Sequence, residues 1–349
     1  MYYFSIVIVT WNALHHLKRF LPSVYENSSE AEIIIADNAS GDGSAEWVNE
    51  HYPDIKIITC DKNYGYCGGN NRGAAYASGE VILFLNNDVE VTPEWLDPIK
   101  TMFNEDKRLA AVQPKIRSLA NKEYFEHAGA AGGFMDRYAY PFCQGRIFDH
   151  VEKDEGQYDE EKEIFWASGA ALAIRNKVFV ENGGFDEDFE FHMEEIDLCW
   201  RLWNRGYKVK LCPGSTVFHL GGGSLSTGSP RKIYYNYRNN LAMIIKNSSH
   251  FTILKRVLMR FLLDYIASLK ALLSFRFGEF RAILKAQLHF LKDFDSLSRK
   301  RDELQQVRTN LLDPDTMIDI AIVKEYFLKG KRTFTELLTS NNTNKTARL

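Results

Sequence analysis

The stretch FSIVIVT at residues 4–10 is a short, almost uninterrupted apolar run rich in β-branched residues. Three similar runs follow it: EIIIAD at 32–37, IKIIT at 55–59 and VILFL at 81–85. Such runs are typical of parallel strands that are covered on both faces of a sheet. Helical patterns separate them at residues 14–25, 44–51 and 69–77. The sequence therefore predicts an open, doubly wound α/β sheet, which binds ligands beyond the carboxyl ends of its strands.

The rest of the chain is less regular. A Gly-rich stretch from Gly129 to Arg146 predicts a hairpin or a mobile loop, and a strand is expected at 165–175. A helix is expected at 196–204, and two or three more helices after Phe251. Because no uncharged apolar run reaches about 18 residues, we expect no transmembrane helix.

The composition of the 349-residue chain, 45% hydrophobic and 26% charged, is that of an ordinary globular protein. No basic segment or cleavage-site pattern precedes the first strand, so we expect no signal peptide. The five cysteines are scattered without a CxxC pair. Their pattern argues against a zinc knuckle or a disulfide framework and favours a reducing compartment. These features predict a cytoplasmic protein.

Polar residues follow each of the first strands. Thr10 and Asn12 come after the first, and Asp37 and Asn38 come after the second. A carboxylate at a strand end can accept hydrogen bonds from a pyrimidine ring or from ribose hydroxyls. An Asx-turn or a helix N-cap would explain the same residues equally well.

A Gly-rich segment, NYGYCGGNNRG at residues 63–73, opens the third helix. Glycines there permit close backbone approach, the helix N-terminus attracts anions, and Arg72 can bond a phosphate. The segment is neither a Walker A loop nor a GxGxxG fingerprint. We interpret the segment as a candidate phosphate-binding turn, although a Gly-rich turn alone has little specificity.

The fourth strand ends in Asn86-Asn87-Asp88. A carboxylate in a polar cluster after a buried strand suits Mg²⁺ or Mn²⁺, which prefer oxygen ligands and keep positions open for phosphate oxygens. The alternative for Asp88 is an ordinary turn aspartate. Later in the chain, His219 follows an apolar run and precedes three glycines. It is either a structural histidine or a second metal ligand.

Two adjacent acids, Glu194 and Glu195, precede apolar residues at helical spacing. Acids in the first turn of a helix complement its macrodipole, which is the structural explanation. The functional hypothesis is that one carboxylate is a general base that removes a proton from an acceptor hydroxyl.

Charge is unevenly distributed along the chain, whose net charge is only −3. Residues 251–301 contain 11 Lys or Arg against 4 Asp or Glu, and their apolar residues recur every three or four positions. One interpretation is a helical pair that packs its apolar stripe on the protein or on a second subunit. The other is a basic amphipathic surface that lies on anionic lipid. The sequence supports both.

In this order, the motifs of the chain resemble those of family 2 glycosyltransferases with a GT-A fold, especially the rhamnosyltransferase-like branch that builds bacterial surface polysaccharides. The resemblance rests on VTWN (9–12), DNAS (37–40), NYGYCGGNNRG (63–73), LNNDV (85–89), SGAALAIR (168–175), GGFDEDF (183–189), MEEIDLCWRLWNRGY (193–207), FHLGGGS (218–224) and YYNYRNN (234–240). It implies a mixed sheet and a catalytic domain at residues 1–247. A helical, basic amphipathic region would follow at 248–335, and a polar tail at 336–349.

The resemblance also implies roles for individual residues. Asp88, with His219, would hold a divalent Mg or Mn ion against the diphosphate of a nucleotide sugar. In this family the acidic element is often Asp-x-Asp, so Asp88 is here the sole carboxylate. The family's base lies in a Glu-Asp pair, and by position Glu195 takes that role with Glu194 beside it. The donor site would comprise Thr10, Asn12, Asp37, Asn38, Asn63, Gly65, Asn71, Arg72, Asn87 and Gly169.

The expected activity is inverting transfer of a sugar, rhamnose or another hexose, from a UDP or dTDP donor to a saccharide or lipid-linked saccharide. No nucleic acid is expected as a partner, and self-association into a homo-oligomer is left open. The enzyme would work in the cytoplasm, with the inner face of the cytoplasmic membrane as a candidate location. Two alternatives are a nucleotidyltransferase that makes nucleotide sugars and an inactive binding or scaffold protein on the same fold.

Overall fold

The computed structural model describes residues 3–126, 129–221 and 229–338. The strands of its main sheet are β1 (Phe4–Thr10), β2 (Ala31–Asp37), β3 (Lys56–Thr59), β4 (Val81–Asn86), β5 (Val89–Val91), β6 (Leu109–Ser118), β11 (Lys162–Glu163), β12 (Ala171–Arg175) and β13 (Lys208–His219). A smaller sheet contains β7 (Gly133–Asp136), β8 (Pro141–Cys143), β9 (Arg146–Ile147), β10 (His150–Val151) and β14 (Met317–Ile318). The helices are α1 (Leu14–Glu26), α2 (Ser44–His51), α3 (Gly65–Ala74), α4 (Leu96–Glu105), α5 (Asn176–Glu181), α6 (Glu194–Asn204), α7 (Pro230–Asn247), α8 (Ile253–Leu273), α9 (Phe277–Lys292), α10 (Phe294–Gln306) and α11 (Ile322–Phe327).

The main sheet is mixed, in the order β11-β13-β6-β12-β4-β1-β2-β3, and β5 pairs with β13. Strands β1 to β4 are mutually parallel, as the sequence predicts, so their carboxyl ends share one edge. Strand β12 is antiparallel to β4, and its first residues therefore reach that same edge. Alternate residues of β1, β2 and β4 enter two separate apolar cores, one on each face of the sheet. This explains the continuous apolar runs of these strands.

Most predicted elements agree with the structure to within a residue or two, but two differ. Helix α3 begins at Gly65 rather than at residue 69, so the Gly-rich segment is itself helical. The strand predicted at 165–175 is shorter, because its first part turns away to the small sheet, where Trp166 bridges to Gly133. The stretch from 129 to 146 forms a hairpin of β7 and β8.

The C-terminal region contains the predicted helices α8, α9 and α10. It is more than a helical appendage, because β14 pairs with β7 and completes the small sheet. Within the described ranges, no helix is both long and apolar enough to cross a membrane.

Candidate active site

The carboxyl ends of β1 and β2 bring predicted donor-binding residues together. Thr10 and Asp37 are opposite each other in the parallel register, and both are buried. The Asp37 carboxylate accepts hydrogen bonds from the N–H of Ser40, three residues further on, at 3.2 and 3.3 Å, and so holds the turn that follows β2. Among the described residues, the Thr10 Oγ1 atom has no hydrogen-bond partner. A buried hydroxyl without a partner is costly, so this edge of the sheet is a suitable place for a polar ligand.

Asn12 and Asn38 shape the backbone next to these two residues. Asn12 has a positive φ of 48°, and its Oδ1 accepts a hydrogen bond from the Gly41 N–H at 2.8 Å. The Asn38 amide donates to the Gly65 carbonyl at 2.9 Å, while its Oδ1 is buried and unpaired in the described structure. On the same loop as Gly65, the Asn63 Oδ1 accepts from the Gly65 N–H at 2.8 Å.

The glycines of α3 bring that helix close to the sheet. A Cβ on Gly69 would lie 2.7 Å from the Asn38 amide, and one on Gly73 would lie 2.5 Å from the Val7 side chain. A methyl group cannot fit at these distances, so the glycines permit close helix–sheet packing. Close packing of α3 on the sheet therefore explains the presence of glycine at these positions, and the sequence alone did not reveal this.

Asn71 and Arg72 already have partners within the protein. The amide of Asn71 donates to the Phe185 carbonyl at 2.8 Å and accepts from its N–H at 2.9 Å. Arg72 pairs with Glu187 at 3.2 Å, and its guanidinium lies 3.3 Å from the centroid of the Tyr64 ring. Their contribution to donor binding stays a prediction. For Arg72 to contribute, a phosphate would have to replace Glu187 as the partner of its guanidinium.

Asp88 and His219 meet at the end of β4. The turn Asn87–Asp88 joins β4 to β5, and the pairing of His219 with Val89 places the imidazole against this turn. The His219 Nε2 lies 3.0 Å from the Asp88 Oδ1 and 3.3 Å from the Asn86 amide. Both side chains are about 95% buried. The two predicted metal ligands, Asp88 and His219, are thus in direct contact with each other.

Glu126 is a further residue of this cluster, and it was not expected from the sequence. Its carboxylate lies 3.3 Å from the His219 Nδ1, on the opposite side of the ring from Asp88. Burial disfavours a charged imidazole, but the hydrogen bonds and charges of Asp88 and Glu126 outweigh it and raise the pKa of His219 to about 10. A carboxylate behind the second ring nitrogen is also the arrangement that orients metal-binding histidines.

This donor set fits a divalent cation that is shared with a substrate. In the described part of the chain, no three His, Cys, Asp or Glu side chains form a metal cage. Mg²⁺ ions at phosphate-transfer sites are often held by one or two carboxylates, with substrate phosphates and water filling the other positions. Asp88 supplies such a carboxylate, and a neutral His219 would supply a nitrogen.

Glu194 and Glu195 begin α6, as predicted. Burial, and then the charge of Glu195, raise the pKa of Glu194 well above its usual range. Burial also raises the pKa of Glu195 to about 7, although the backbone N–H groups of Glu195, Ile196 and Gly169 bond its carboxylate and oppose that change. A carboxylate with a pKa near neutrality can act as a general base.

Gly169 connects the acidic pair with the Asp88 turn. Its N–H lies near the Glu195 carboxylate and lowers the pKa of that group, and the next residue, Ala170, accepts a hydrogen bond from the Asn86 N–H at 3.0 Å. The Gly169 carbonyl accepts from the Tyr66 hydroxyl at 2.7 Å, and a Cβ at this position would collide with that hydroxyl. Gly169 thus lies on the side of the base, and its role as a donor ligand stays a prediction.

The backbone that leads into α6 is held in an unusual conformation. Glu190, His192 and Met193 have φ angles of 58°, 66° and 73°, a region that non-glycine residues seldom adopt. The buried side-chain amide of Asn239 in α7 donates to the carbonyls of residues 189, 191 and 192 at 2.8–2.9 Å. Strain of this kind persists where surrounding contacts enforce it, often at functional sites.

Comparison with known proteins identifies the family of the chain. The model of the family "Glycosyl transferase family 2" matches residues 5–179, just over half of the chain. The chain is a family 2 glycosyltransferase. The matched segment contains Asp37, Asp88 and Gly169, while the acidic pair and His219 lie beyond its end. Of the FHLGGGS motif, Gly222, Gly223 and Ser224 fall outside the described residues.

Similar proteins include transferases from several sources. An N-acetylglucosaminyl-diphospho-decaprenol L-rhamnosyltransferase of Mycobacterium tuberculosis is 28% identical over 61% of this chain and 75% of its own length. A low-salt glycan biosynthesis hexosyltransferase of Haloferax volcanii is 25% identical, over 62% of this chain and 66% of its own. Both likenesses support the resemblance that the sequence motifs indicate.

Solved structures show that this family 2 glycosyltransferase has the GT-A fold. The S. aureus TarS structure in complex with UDP-GlcNAc covers 88% of this chain and 93% of its own, at 16% identity and a TM-score of 0.55. A structure of GalNAc-T7 with UDP, GalNAc and Mn²⁺ covers 70% of this chain and 48% of its own, at 21% identity and a TM-score of 0.56.

The strained loop, which we define as residues 190–193 before α6, gives a first prediction. Replacing Asn239 by Ala removes the donor to three carbonyls, so the free energy of unfolding should fall by about 1–3 kcal/mol. Sugar transfer should fall further than stability alone explains, because the loop positions the acidic pair. Thermal unfolding and kcat would be measured at a temperature where the variant is folded. Asn236→Ala, on the same helix, is the control, and equal behaviour of the two variants would refute the role of Asn239.

Proposed function

We propose that the enzyme catalyses inverting transfer of a sugar from a nucleotide diphosphate donor to a saccharide or lipid-linked saccharide hydroxyl. The observation that carries this proposal is that one short backbone segment, residues 169–170, contacts both the acidic pair and the strand that leads to Asp88. Gly169 contacts Glu195, and Ala170 is bonded to Asn86, two residues before Asp88. A metal-binding carboxylate and a general base so near each other suit a displacement in which one assists the leaving group and the other activates the acceptor.

The donor is proposed to lie along the carboxyl ends of β1, β2 and β4. Asp37 and the unpaired hydroxyl of Thr10 would bind the base and the ribose, with Asn12, Asn38 and Asn63 nearby. The nucleotide is UDP or dTDP, and the sugar is rhamnose or another hexose. The rhamnosyltransferase and hexosyltransferase named above support this class of sugar. An O-antigen biosynthesis protein of Myxococcus xanthus, 29% identical over 58% of this chain and 16% of its own length, supports a role in surface polysaccharide synthesis.

Asp88 and His219 are proposed to hold a Mg or Mn ion, which would neutralise the charge of the departing nucleoside diphosphate. For His219 to contribute, its proton must leave, and Glu126 can accept the remaining ring N–H. Glu195 would take the proton of the acceptor hydroxyl as that oxygen attacks the anomeric carbon. Retention of both acidic sites argues against an inactive scaffold, and membership of the glycosyltransferase family argues against a nucleotidyltransferase.

The metal is tested by replacing Asp88 with Ala. Transfer should fall to background in this variant, assayed at a temperature where its thermal unfolding curve shows it to be folded, and also in the wild type treated with EDTA. Addition of Mn²⁺ should restore only the EDTA-treated wild type. Transfer that continues in EDTA, or in Asp88→Ala, would refute the metal-dependent mechanism.

The base is tested by Glu195→Gln, which keeps the shape but cannot accept a proton. Transfer should fall by roughly 10²–10⁴-fold with little change in donor affinity. In the wild type, kcat/KM should rise with pH and level off above the Glu195 pKa of about 7, because only the ionised carboxylate accepts a proton. A flat profile through neutral pH would contradict this role. Glu194→Gln is the matched variant, and if it alone is inactive, Glu194 is the base.

The reaction is proposed to occur at the inner face of the cytoplasmic membrane, and helix α8 supports this location. Its outer face, defined by Leu254, Leu258, Leu262, Tyr265, Ile266, Leu269 and Leu273, is exposed to solvent, and six of these seven residues are more than half exposed. Its buried face carries Arg256, Arg260 and Asp264. The helix is thus apolar outside and charged inside.

The inward charges of α8 face buried partners. Arg260 pairs with Asp264 at 3.0 Å and lies over the Tyr140 ring, while Arg256 pairs with Asp313 at 2.7 Å. Two of the cations that the sequence assigned to a lipid-binding surface are therefore unavailable, and that part of the prediction is wrong. Packing on the protein itself holds for Val257 and Phe261, which contact the core, but not for the outer face of α8. Packing of that face on a second subunit stays a prediction.

An apolar row flanked by the exposed cations Lys255 and Lys270 fits a bilayer with anionic headgroups. Burial of one leucine side chain contributes about 1.5–3 kcal/mol, so the row supplies most of the affinity and the cations select the lipid. A second copy of the chain, which would offer the same cations, matches this charge pattern less well.

Membrane binding is tested by flotation. The wild type should float with vesicles that contain phosphatidylglycerol, less with phosphatidylcholine alone, and less at high salt. The double variant Leu258→Glu with Leu262→Glu should stay at the bottom of the gradient. The control places the same charges at Leu311 and Leu312, which are equally exposed elsewhere, and should float. Absence of flotation in the wild type, with a dimer that the α8 variant abolishes, would assign the face to a second copy.

A further inference from the structure

An open pocket of about 510 Å³ lies between the start of α7 and the start of α9. The two helices come close here, since a Cβ on Gly278 would lie 3.0 Å from the Pro230 ring. Tyr234 and Tyr235 line the α7 side of the pocket. The pocket is separate from the donor side, which lies at the strand ends.

Three cations line this pocket: Arg231, Arg281 and Lys285. In the described part of the chain, none of them forms a salt bridge, whereas the carboxylates nearby are engaged. Arg276 pairs with Glu279 at 2.8 Å, Arg238 pairs with Asp293 at 3.2 Å, and the Tyr235 hydroxyl donates to Glu190 at 2.5 Å.

The amino-terminal end of the 18-residue helix α7 adds positive potential to the same place. Cations without acidic partners beside a helix N-terminus attract a polyvalent anion, and phosphate groups accept hydrogen bonds from arginine in this way. The pocket therefore has the chemistry of a phosphate or diphosphate site.

The surface next to the pocket is apolar and indicates what the anion carries. Leu273, Phe275 and Phe277 form the corner between α8 and α9, immediately before Gly278, and they are 78%, 80% and 50% exposed. A site for an anion that adjoins exposed hydrocarbon suits an amphipathic ligand better than a free nucleotide or a soluble saccharide. The corner also continues the outer face of α8.

The other side of the pocket leads to the acidic pair. Tyr235 bonds Glu190, and Arg231 lies 5.7 Å from the centroid of the Phe191 ring. Both contacted residues belong to the strained loop that ends at Glu194. A ligand held in the pocket would thus have its polar end directed toward the candidate base.

We propose that the pocket between α7 and α9 binds the phosphate or diphosphate group of a lipid-linked acceptor. The lipid chain lies over the apolar corner and enters the membrane beside α8, and the sugar extends past the strained loop to Glu195. This inference rests on the proposed function and names the acceptor class for it.

Binding can be measured without catalysis. The probe is farnesyl diphosphate, a short lipid diphosphate, with farnesol and inorganic pyrophosphate as comparisons, all in EDTA so that a metal at the donor site does not contribute. The wild type should bind farnesyl diphosphate more tightly than either comparison compound. In the triple variant Arg231→Gln, Arg281→Gln, Lys285→Gln, the Kd should rise by about tenfold or more, since hydrogen bonds to charged groups are the strong ones.

The matched control removes three positive charges at exposed positions outside the pocket and outside the outer face of α8, as Lys107→Gln, Lys292→Gln, Lys324→Gln. Its Kd for farnesyl diphosphate should match that of the wild type. Equal weakening in both triple variants, or no weakening in either, would overturn the proposal. The single variant Arg281→Glu, at an exposed site, repeats the test with little risk to folding, and circular dichroism would verify its helix content.

Transfer kinetics separate this proposal from the function on which it rests. The double variant Arg281→Gln, Lys285→Gln spares Arg231 and its contact with the strained loop. It should raise the KM for a lipid-linked diphosphate acceptor with kcat and the donor KM unchanged, and it should leave transfer to a soluble saccharide unaffected. An unchanged acceptor KM, while Asp88→Ala and Glu195→Gln are inactive, would overturn the pocket alone. Activity in Asp88→Ala would refute the metal mechanism and leave the farnesyl diphosphate result standing.

Discussion

The geometry of the candidate active site depends on one buried carboxylate. Asp197 lies one turn into α6, has no exposure to solvent, and bonds Arg201 at 2.9 Å, Lys246 at 2.9 Å and Asn247 at 2.7 Å. Removing one member of a buried ion pair typically costs 3–5 kcal/mol, because the remaining charge has no compensation. Since Lys246 and Asn247 belong to α7, this cluster fixes the helix that begins with the acidic pair against the helix that holds the strained loop.

The same cluster explains how two buried glutamates can begin α6. Burial favours their neutral forms, and folding them there is increasingly unfavourable as pH rises above their usual pKa, when the unfolded chain would ionise them freely. The backbone N–H groups around Glu195 offset part of this cost. The rest is met by contacts elsewhere, of which Asp197 is the centre. A base with a pKa near neutrality is therefore maintained by the packing of α6 and α7, and not by its immediate neighbours alone.

The sequence predicted the parts of the fold and site that depend on local pattern. The apolar runs gave β1 to β4, and a doubly wound sheet directs Thr10, Asp37 and Asp88 to one edge. Glu126 could not be found in this way, because it lies in a loop without periodicity and approaches His219 only after β13 pairs with β5. The glycines of α3 were interpreted as phosphate-binding from their type, whereas their tight packing against Val7 and Asn38 depends on tertiary contacts.

The two faces of helix α8 could also be predicted only in part from the sequence. Periodicity revealed that α8 has an apolar and a charged face, but only the positions of Asp313 and Tyr140 show that the charged face is the buried one. Helix α7 then relates that surface to the chemistry. Its first turn borders the cationic pocket, Tyr235 and Asn239 hold the strained loop, and Lys246 bonds Asp197. A rigid helix of 18 residues spans about 27 Å, so it would fix the distance between the proposed lipid surface and the proposed base. An acceptor whose sugar is joined to its lipid by a phosphate linkage of fixed length would suit this spacing. A soluble saccharide would gain nothing from it.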